Sequence, residues 1–330
     1  MSAVLVLVEV VDGAVDRLSL EAIAFARGLG DGSEVEVAVV GSPGVGASAA
    51  GVLGGVGVAR VHAVEDERLS AYAAAAVASG LAAVVASGSF AAVIGPGSER
   101  GTEVLAHLAA RTGLAMAANV VAAESGDPGG RWRVTRQRWA GSLLEEAWLD
   151  GAPKVLTVAA HAVAAAEPSP GATAAAVVPV AVSLADSDFV ARVVGVERTA
   201  GDRVSLAEAK VVVGGGRGLG SGEAFAMLDE LAELLGAAVG VSRVATSLGW
   251  RPHAQQVGQT GTRIAPDIYI ACGISGAIQH IVGCKSAKRI LAINTDRDAP
   301  IFLKATYGVI GDVHQVLPAI TAEVRRAKGL

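Results

Sequence analysis

Two glycine-rich stretches in the second half of the chain could bind a phosphate-bearing ligand. Residues 214–222 (GGGRGLGSG) contain Arg217, and residues 273–280 (GISGAIQH) contain Ser275. Each stretch runs from an apolar, strand-like segment into a helical pattern. Glycine lets backbone N–H groups approach an anion, the start of a helix favours negative charge, and arginine adds a permanent cation. Either stretch alone is also compatible with a plain turn, but two such loops after parallel strands would face one crevice and predict a nucleotide-type ligand.

A third glycine-rich stretch, residues 41–48 (GSPGVGAS), resembles a phosphate-binding P-loop without its lysine. Ala47 occupies the lysine position, so no cation would reach the β- and γ-phosphates of a nucleotide. An ordinary tight turn is therefore favoured here over a nucleotide site.

Residue patterns for acid–base, nucleophilic or metal chemistry are absent from the sequence. The histidines never fall three or four positions apart, and Cys272 and Cys284 are too widely spaced for a CxxC pair. Both cysteines are expected to be buried thiols, which behave as small hydrophobic residues. Any chemistry would then belong to a bound cofactor.

The composition indicates a folded protein without nucleic-acid chemistry. Of its 330 residues, 52% are hydrophobic and 18% charged, and the formal net charge is −5. A basic cluster at residues 131–138 contains Trp132 and reads as a solvated hairpin rather than an RNA-binding surface. The first residues already read as a strand, and the alanine-rich runs are interrupted, so we expect no signal peptide and no membrane insertion. A cytoplasmic α/β protein is the resulting expectation.

Strand and helix patterns alternate in the first part of the chain, which implies βαβ crossovers and a parallel sheet. Apolar runs predict strands at residues 4–10, 35–40 and 91–94, and helical spacing predicts helices at residues 18–28, 72–86 and 102–112. From residue 120 onward the predicted elements are mostly strands, at residues 131–139, 154–159 and 177–184.

A polar break at residues 199–209 separates this series from a second one. Strands are predicted at residues 210–213, 238–241, 267–271, 289–293 and 306–310, with a helix at residues 222–235. The sequence thus predicts an α/β protein of two domains. Residues 1–198 form a nucleotide-binding-like α/β domain, and residues 199–330 form a doubly wound domain with a parallel sheet.

Several motifs of the second domain, in their order and spacing, resemble the FAD-binding domain of electron-transfer flavoprotein alpha subunits. They are GGGRGLGS at residues 214–221, VSR at 241–243, VGQTG at 257–261, SGAIQH at 275–280, IN at 293–294, APIF at 299–302 and YGVIGD at 307–312. The first domain resembles the family more loosely, in its alternating pattern and in IGPG at residues 94–97. It departs at residues 136–141 (RQRWAG), where members often have Pro-Ile-Tyr-Ala-Gly.

The resemblance implies an electron carrier rather than an enzyme with its own substrate. The chain would pair with a beta subunit, with the first domain serving as scaffold and subunit interface. One FAD would be held by the second domain, and the beta subunit would bind AMP. Electrons would come from acyl-CoA dehydrogenases of fatty acid β-oxidation and related flavoenzymes, and would pass to a membrane quinone oxidoreductase.

The resemblance also implies roles for individual residues. Arg243 would lie against the isoalloxazine, His280 would approach its pyrimidine edge, and the Thr260 hydroxyl would donate towards flavin N5. Cations or strong donors beside the N1–C2=O edge raise the potential, because negative charge collects there on reduction; about 1.4 kcal/mol corresponds to roughly 59 mV for one electron. The other expected contacts are Arg217, Ser242, Val257, Gly258, Gln259, Ser275, Gly276, Ala277, Ile278, Gln279, Asn294, Asp312 and Val313. Of these, Asn294 and Asp312 match residues that bind the adenosine end, and Asp296 is a weaker candidate.

Three alternatives remain open at this point. A doubly wound NAD-dependent enzyme needs an acidic residue about twenty positions after the glycine loop, where this chain has Ser242 and Arg243. A binding module without redox chemistry would be colourless after reconstitution with FAD and its partner. A bifurcating family member would carry a second FAD in the beta subunit.

Overall fold

The computed structural model describes residues 3–29, 34–125, 130–141, 143–195, 206–207 and 209–329. The chain divides into two units, Met1–Val196 and Glu197–Leu330. The predicted domain boundary near residue 198 lies outside the described residues. Within the described ranges, no helix has both the length and the apolar character needed to cross a membrane.

The first unit is built on a nine-stranded sheet with helices on its faces. Its strands and a small hairpin (β2, β3) are β1 (Ala3–Val8), β2 (Val10–Val11), β3 (Ala14–Val15), β4 (Val35–Gly41), β5 (Arg60–Glu65), β6 (Phe90–Gly95), β7 (Met116–Ser125), β8 (Trp132–Arg138), β9 (Leu143–Leu149), β10 (Lys154–Val158) and β11 (Ala176–Pro179). Its helices are α1 (Arg17–Gly28), α2 (Val45–Gly55), α3 (Ala74–Ser87) and α4 (Glu99–Thr112).

The nine strands lie in the order β11-β5-β4-β1-β6-β10-β7-β8-β9. Pairing is parallel from β11 to β7, whereas β8 and β9 add an antiparallel hairpin at the far edge. Central β1 is buried on both faces, with Val4 and Val6 in one apolar cluster and Leu5 and Leu7 in another. This two-sided burial is the reason that its sequence is a continuous apolar run.

The P-loop-like stretch forms a turn, as expected, but the turn opens helix α2, which the sequence pattern did not predict. Gly44 has φ of 89°, the left-handed conformation that favours glycine. The N–H of Gly46 donates to Glu65 Oε1 over 3.1 Å, so an internal carboxylate occupies one donor at the start of the helix. A side chain at Gly46 would place its Cβ 2.7 Å from that of Ala63, so glycine permits close packing of α2 on β5.

One strand expectation for this unit needs correction, and several strands are additional to those predicted. The strand predicted at residues 177–184 ends at Pro179, in edge strand β11. Proline lacks the N–H that would continue a ladder, which confines it to edges. The sequence pattern also does not predict the sheet strands β5, β7 and β9 or the short hairpin strands β2 and β3.

The second unit contains a five-stranded, fully parallel sheet. Its strands are β12 (Val211–Gly215), β13 (Ala238–Val241), β14 (Ile268–Cys272), β15 (Ile290–Asn294) and β16 (Tyr307–Ile310), and its helices are α5 (Ala226–Leu235), α6 (Arg243–Ser247), α7 (Ile278–Cys284) and α8 (Val313–Lys328). In the order β13-β12-β14-β15-β16, strand β13 lies on one side of β12, and β14, β15 and β16 lie on the other. A crevice opens at such a change of direction, beyond the carboxyl ends of the strands.

The two-domain α/β architecture with parallel sheets is confirmed. Cys272 and Cys284 are buried free thiols, as expected, and burial raises the pKa of each to about 12.

Candidate cofactor site

A cavity of about 420 Å3 lies within the second unit, lined by the loops that follow β12, β13, β14 and β15. It brings together residues that are far apart in the chain. Of the predicted contacts, its lining includes Arg217, Ser242, Arg243, Val257, Gly258, Gln259, Thr260, Ser275, Gly276, Ala277, Gln279, His280 and Asn294. The weaker candidate Asp296 also lines it.

Three predicted contacts lie outside this lining. Ile278 begins α7 and is 80% exposed. Asp312 caps α8, where its Oδ1 accepts the N–H of His314 over 2.9 Å. Val313 is buried in the apolar core beneath α8. Contact of these residues with a cofactor stays a prediction.

Two arginines give the cavity its positive charge. Arg217 follows β12, and Arg243 begins α6 directly after Ser242, which occupies the N-cap position without a side-chain capping bond. Both side chains are exposed, and within the described part of the chain neither has an acidic partner within 4 Å. Guanidinium groups without an internal partner are available to an anionic or carbonyl-bearing ligand.

In the first glycine-rich loop, residues 214–222, two backbone N–H groups that were expected to face an anion have partners within the chain. The N–H of Gly216 donates to the Cys272 carbonyl over 3.0 Å, and that of Gly218 donates to the Gly273 carbonyl over 2.9 Å. These donors are therefore taken by the neighbouring loop instead of facing a phosphate. A Cβ built on Gly218 would lie 2.6 Å from Gly273 Cα, so the glycines here let two backbones touch.

The second glycine-rich loop keeps its amides available. Ser275, Gly276 and Ala277 donate their N–H groups to no carbonyl of the described chain. Gly276 has φ of 82°, and a Cβ there would lie 2.4 Å from the Ile301 nitrogen, so only glycine fits. The side chain of Asn294 stabilises this loop, because its Nδ2 donates to the Ile274 carbonyl over 3.0 Å.

A third segment of the cavity lining, residues 256–260, contains a buried glutamine that was not among the predicted contacts. Gln256 is 2% exposed, and its Nε2 donates to Thr260 Oγ1 over 3.0 Å. Its Oε1 accepts the hydroxyl of Thr246 over 2.7 Å. The only sequence signal for Gln256 is its position directly before the VGQTG motif.

His280 lies at the base of the cavity, 5% exposed. Its Nε2 is 2.9 Å from the hydroxyl of Tyr269, which sequence reasoning did not single out because it reads as a strand residue. Burial lowers the pKa of His280 to about 4, although the Val257 carbonyl favours the charged form. The imidazole is therefore neutral near pH 7, and not a cation.

Two buried polar atoms in this cavity have no hydrogen-bond partner within the described structure, namely Ser242 Oγ and His280 Nδ1. Such atoms are costly to bury unpaired, and they mark a place where a ligand completes the bonding.

The two units correspond to two matched families. Residues 4–185 match the family described as Electron transfer flavoprotein domain, and residues 205–285 match Electron transfer flavoprotein FAD-binding domain. Electron transfer flavoprotein subunit alpha of Mycobacterium tuberculosis (strain ATCC 25618 / H37Rv) is 41% identical over 329 residues, covering 100% of each chain. The chain belongs to the electron transfer flavoprotein alpha-subunit family.

Other members of the electron transfer flavoprotein alpha-subunit family match with similar coverage. The subunit of Mycobacterium leprae (strain TN) is 39% identical over 330 residues, covering 100% of each chain. That of Bacillus subtilis (strain 168) is 38% identical over 323 residues, covering 98% of this chain and 97% of its own. The predicted family is thereby confirmed, with the electron-transfer role and the FAD-binding domain that define it.

Most of the cavity falls within the matched FAD-binding domain. Arg217, Arg243, Thr260 and His280 lie inside residues 205–285, whereas Asn294 lies beyond them. Binding of FAD by these particular side chains stays a prediction.

Proposed function

We propose that this chain binds FAD in the cavity of its second unit and, paired with a beta subunit, carries electrons between flavoenzymes and a membrane quinone oxidoreductase. The observation that carries the proposal is the convergence of two unpaired arginines with two orphaned polar atoms in one cavity. FAD presents a matching set of groups: phosphates, ribityl hydroxyls and a ring with carbonyl and nitrogen acceptors. When bound, it supplies the redox chemistry, which the side chains only tune.

Each arginine suits a different part of this ligand. Arg217 follows the strand at the change of direction in the sheet, where a pyrophosphate is expected, and its fork can hold two phosphate oxygens. Arg243 lines the cavity at the start of α6, just beyond the end of β13, and is assigned to the isoalloxazine. A guanidinium there stabilises the charge that collects on the ring during reduction and raises its potential.

Neutral donors complete the assignment. The Thr260 hydroxyl can donate into the cavity because its oxygen already accepts a bond from Gln256. We assign it to flavin N5. His280 is assigned to a carbonyl acceptor at the pyrimidine edge of the ring, and Ser242 Oγ to the ring or the ribityl chain. Asn294 is assigned to the adenosine end, together with Asp312 just beyond the cavity.

The first unit is assigned the interface with the beta subunit. Edge strand β9 exposes Leu143, Leu144 and Trp148, of which Leu144 is 68% exposed. Long apolar side chains on an open sheet edge are unfavourable in a free monomer and mark a surface that another chain covers. The names of the matched alpha subunits support a beta subunit as that chain.

The partners and the stoichiometry extend the same proposal. One FAD serves the heterodimer, and the beta subunit carries AMP. Acyl-CoA dehydrogenases and related flavoenzymes supply electrons in the cytoplasm, and the chain turns over no substrate itself. His280 supports a carrier role, because an imidazole whose pKa is lowered to about 4 is a weak general base at neutral pH.

Reconstitution tests the proposal directly. The chain is coexpressed with a beta-type subunit, loaded with FAD, and examined by absorption spectroscopy and nucleotide analysis. Flavin absorption at one FAD and one AMP per heterodimer, with bleaching by an acyl-CoA dehydrogenase and its substrate, is the expected result. A colourless heterodimer overturns the proposal, and saturable NAD binding would favour a doubly wound dehydrogenase. Two FAD molecules per heterodimer would identify a bifurcating member.

A further inference from the structure

Tyr269 and His280 form an isolated pair in the interior of the second unit. The Tyr269 hydroxyl lies 2.9 Å from His280 Nε2, and the two rings are 6.0 Å apart between centroids. Tyr269 is 0% exposed. Within the described part of the chain its hydroxyl makes no other hydrogen bond, so the histidine is its one acceptor.

This isolation fixes where the protons lie. A buried hydroxyl must donate its proton, and Nε2 is the atom available to accept it. A neutral imidazole that accepts at Nε2 carries its own proton on Nδ1. Both groups are neutral at pH 7, since burial raises the pKa of Tyr269 well above its usual value and lowers that of His280 to about 4.

We propose that Tyr269 is a positioning residue that holds His280 in its Nδ1–H tautomer, so that the neutral ring presents a fixed donor to an acceptor of the bound cofactor. His280 lines the cavity, and its buried Nδ1 makes no hydrogen bond in the described structure, although the Val257 carbonyl lies near enough to favour a proton on the ring. The cofactor part of this inference rests on the proposed function, whereas the tautomer does not.

The neighbouring strand makes room for this arrangement. A Cβ built on Gly214 would lie 2.2 Å from the Tyr269 hydroxyl oxygen. Gly214 pairs with Ala271 in the middle of the sheet and is not in the left-handed region, so no turn requires glycine here. Space for the hydroxyl explains the glycine, and an alanine would push the tyrosine off the histidine.

The opposite tautomer leaves two groups unsatisfied. With the proton on Nε2, the tyrosine oxygen would accept and its own buried proton would have no acceptor among the described residues. At the same time Nδ1 would become an acceptor in the cavity and would repel a ligand carbonyl. The pair therefore selects one tautomer and one kind of ligand atom.

The test uses Tyr269→Phe, which removes the hydroxyl and keeps the ring. Tyr307→Phe is the matched control, because Tyr307 is exposed on edge strand β16 and lies outside the cavity. The full heterodimer, stripped of FAD and with 15N-histidine in this chain, is examined by two-bond 1H–15N correlation at neutral pH. His280→Asn identifies the His280 signals.

The expected spectrum of the wild type shows protonated Nδ1 and bare Nε2, unchanged in Tyr307→Phe and shifted towards the other tautomer in Tyr269→Phe. A wild-type ring protonated on Nε2, or a pattern that Tyr269→Phe leaves unaltered, overturns the tautomer assignment. This measurement needs no flavin, so it can fail independently of the proposed function.

The second measurement asks whether the donor reaches the cofactor. Tyr269→Phe is expected to weaken FAD affinity by on the order of tenfold, the usual effect of one lost hydrogen bond. In a His280→Asn background, where the amide supplies a donor near the Nδ1 position, the same change should have little further effect. An equal loss in both backgrounds overturns the link, while absence of FAD binding in the wild type overturns the proposed function instead.

Discussion

Gln256 and Thr260 share a hydrogen bond of 3.0 Å in which the amide nitrogen donates and the threonine oxygen accepts. The hydroxyl of Thr246 lies 2.7 Å from the amide oxygen of Gln256 and 2.9 Å from the Arg243 carbonyl, so two acceptors share its single proton. A threonine whose oxygen accepts keeps its own proton for another partner. The buried amide thus makes Thr260 a donor on the cavity side.

Gln256→Met, which removes the amide at nearly constant volume, should weaken FAD affinity. Thr260 would lose the bond that orders its hydroxyl, and we expect a loss of about three- to tenfold. Isothermal titration of the flavin-free heterodimer checks this. Gln315→Met on α8 serves as control, because Gln315 is exposed and lies outside the cavity. Unchanged affinity in Gln256→Met, alongside a loss in Thr260→Val, would refute the assigned role.

Arg243→Ala should lower the midpoint potential of the bound flavin. Two unit charges about 4 Å apart interact by about 1 kcal/mol in water, which corresponds to on the order of 40 mV for one electron. Redox titration of the purified heterodimer measures the shift, and raised salt should shrink it because Arg243 is exposed. Arg289→Ala, an exposed arginine away from the cavity, should leave the potential in place. Equal potentials for all three proteins would disprove the role.

His280 should make the second unit less stable as pH falls. Its pKa is about 4 in the folded chain against 6.5 for an ordinary histidine, so the unfolded chain takes up a proton first. The contribution of the neutral His280 to the free energy of unfolding is fully present above the ordinary pKa. It declines as pH falls towards the pKa of the folded chain, by up to about 3 kcal/mol. Denaturant titrations between about pH 7 and about pH 4.5 measure the free energy of unfolding, and its slope against pH should differ between wild type and His280→Asn. His314→Asn, at an exposed site, should follow the wild type.

Leu144→Glu should separate this chain from its beta subunit. Leu144 and Trp148 project from edge strand β9, and a buried, unpaired carboxylate at an interface is strongly unfavourable. We expect loss of copurification at an unchanged unfolding temperature of the isolated chain. Val52→Glu on helix α2, also partly exposed, should still copurify. Retention of the beta subunit by Leu144→Glu would move the interface elsewhere.

Strand β1, which is buried on both faces, could be predicted from sequence, because that burial requires a continuous apolar run. Strand β5 could not, since His62 interrupts its apolar pattern although its interior is buried. Helix α2 could not, since Gly46 and Gly54 lower its helix propensity while permitting close contact with neighbouring backbone and side chains. The strand predicted past Pro179 failed for the opposite reason. The run stays apolar, but its pairing with β5 ends at Pro179, which has no N–H to donate to a ladder.

The cavity lining was predictable where motifs mark it, as at Arg217, Arg243 and Thr260. Tyr269 and Gln256 were not, since one reads as strand core and the other as an ordinary polar residue before a loop. Their roles depend on distances between segments that are separate in sequence, from Tyr269 to His280 and from Gln256 to Thr246. Asp312 is the opposite case, a residue that a motif marked but that lies outside the cavity lining. Its carboxylate accepts a backbone N–H at the start of α8, so the same residue also has a structural role as a helix cap.

The backbone contact between Gly218 and Gly273 bears on how this protein could be re-engineered. A Cβ on either residue would fall within 3 Å of the other's backbone, so neither position can accept a side chain without separating the two loops. Mutant libraries aimed at a new potential or a new flavin analogue should hold both glycines constant and diversify Ser242, Ser275 and Gln279 instead. The spacing between the two loops is then kept, and only the side chains that line the cavity are varied.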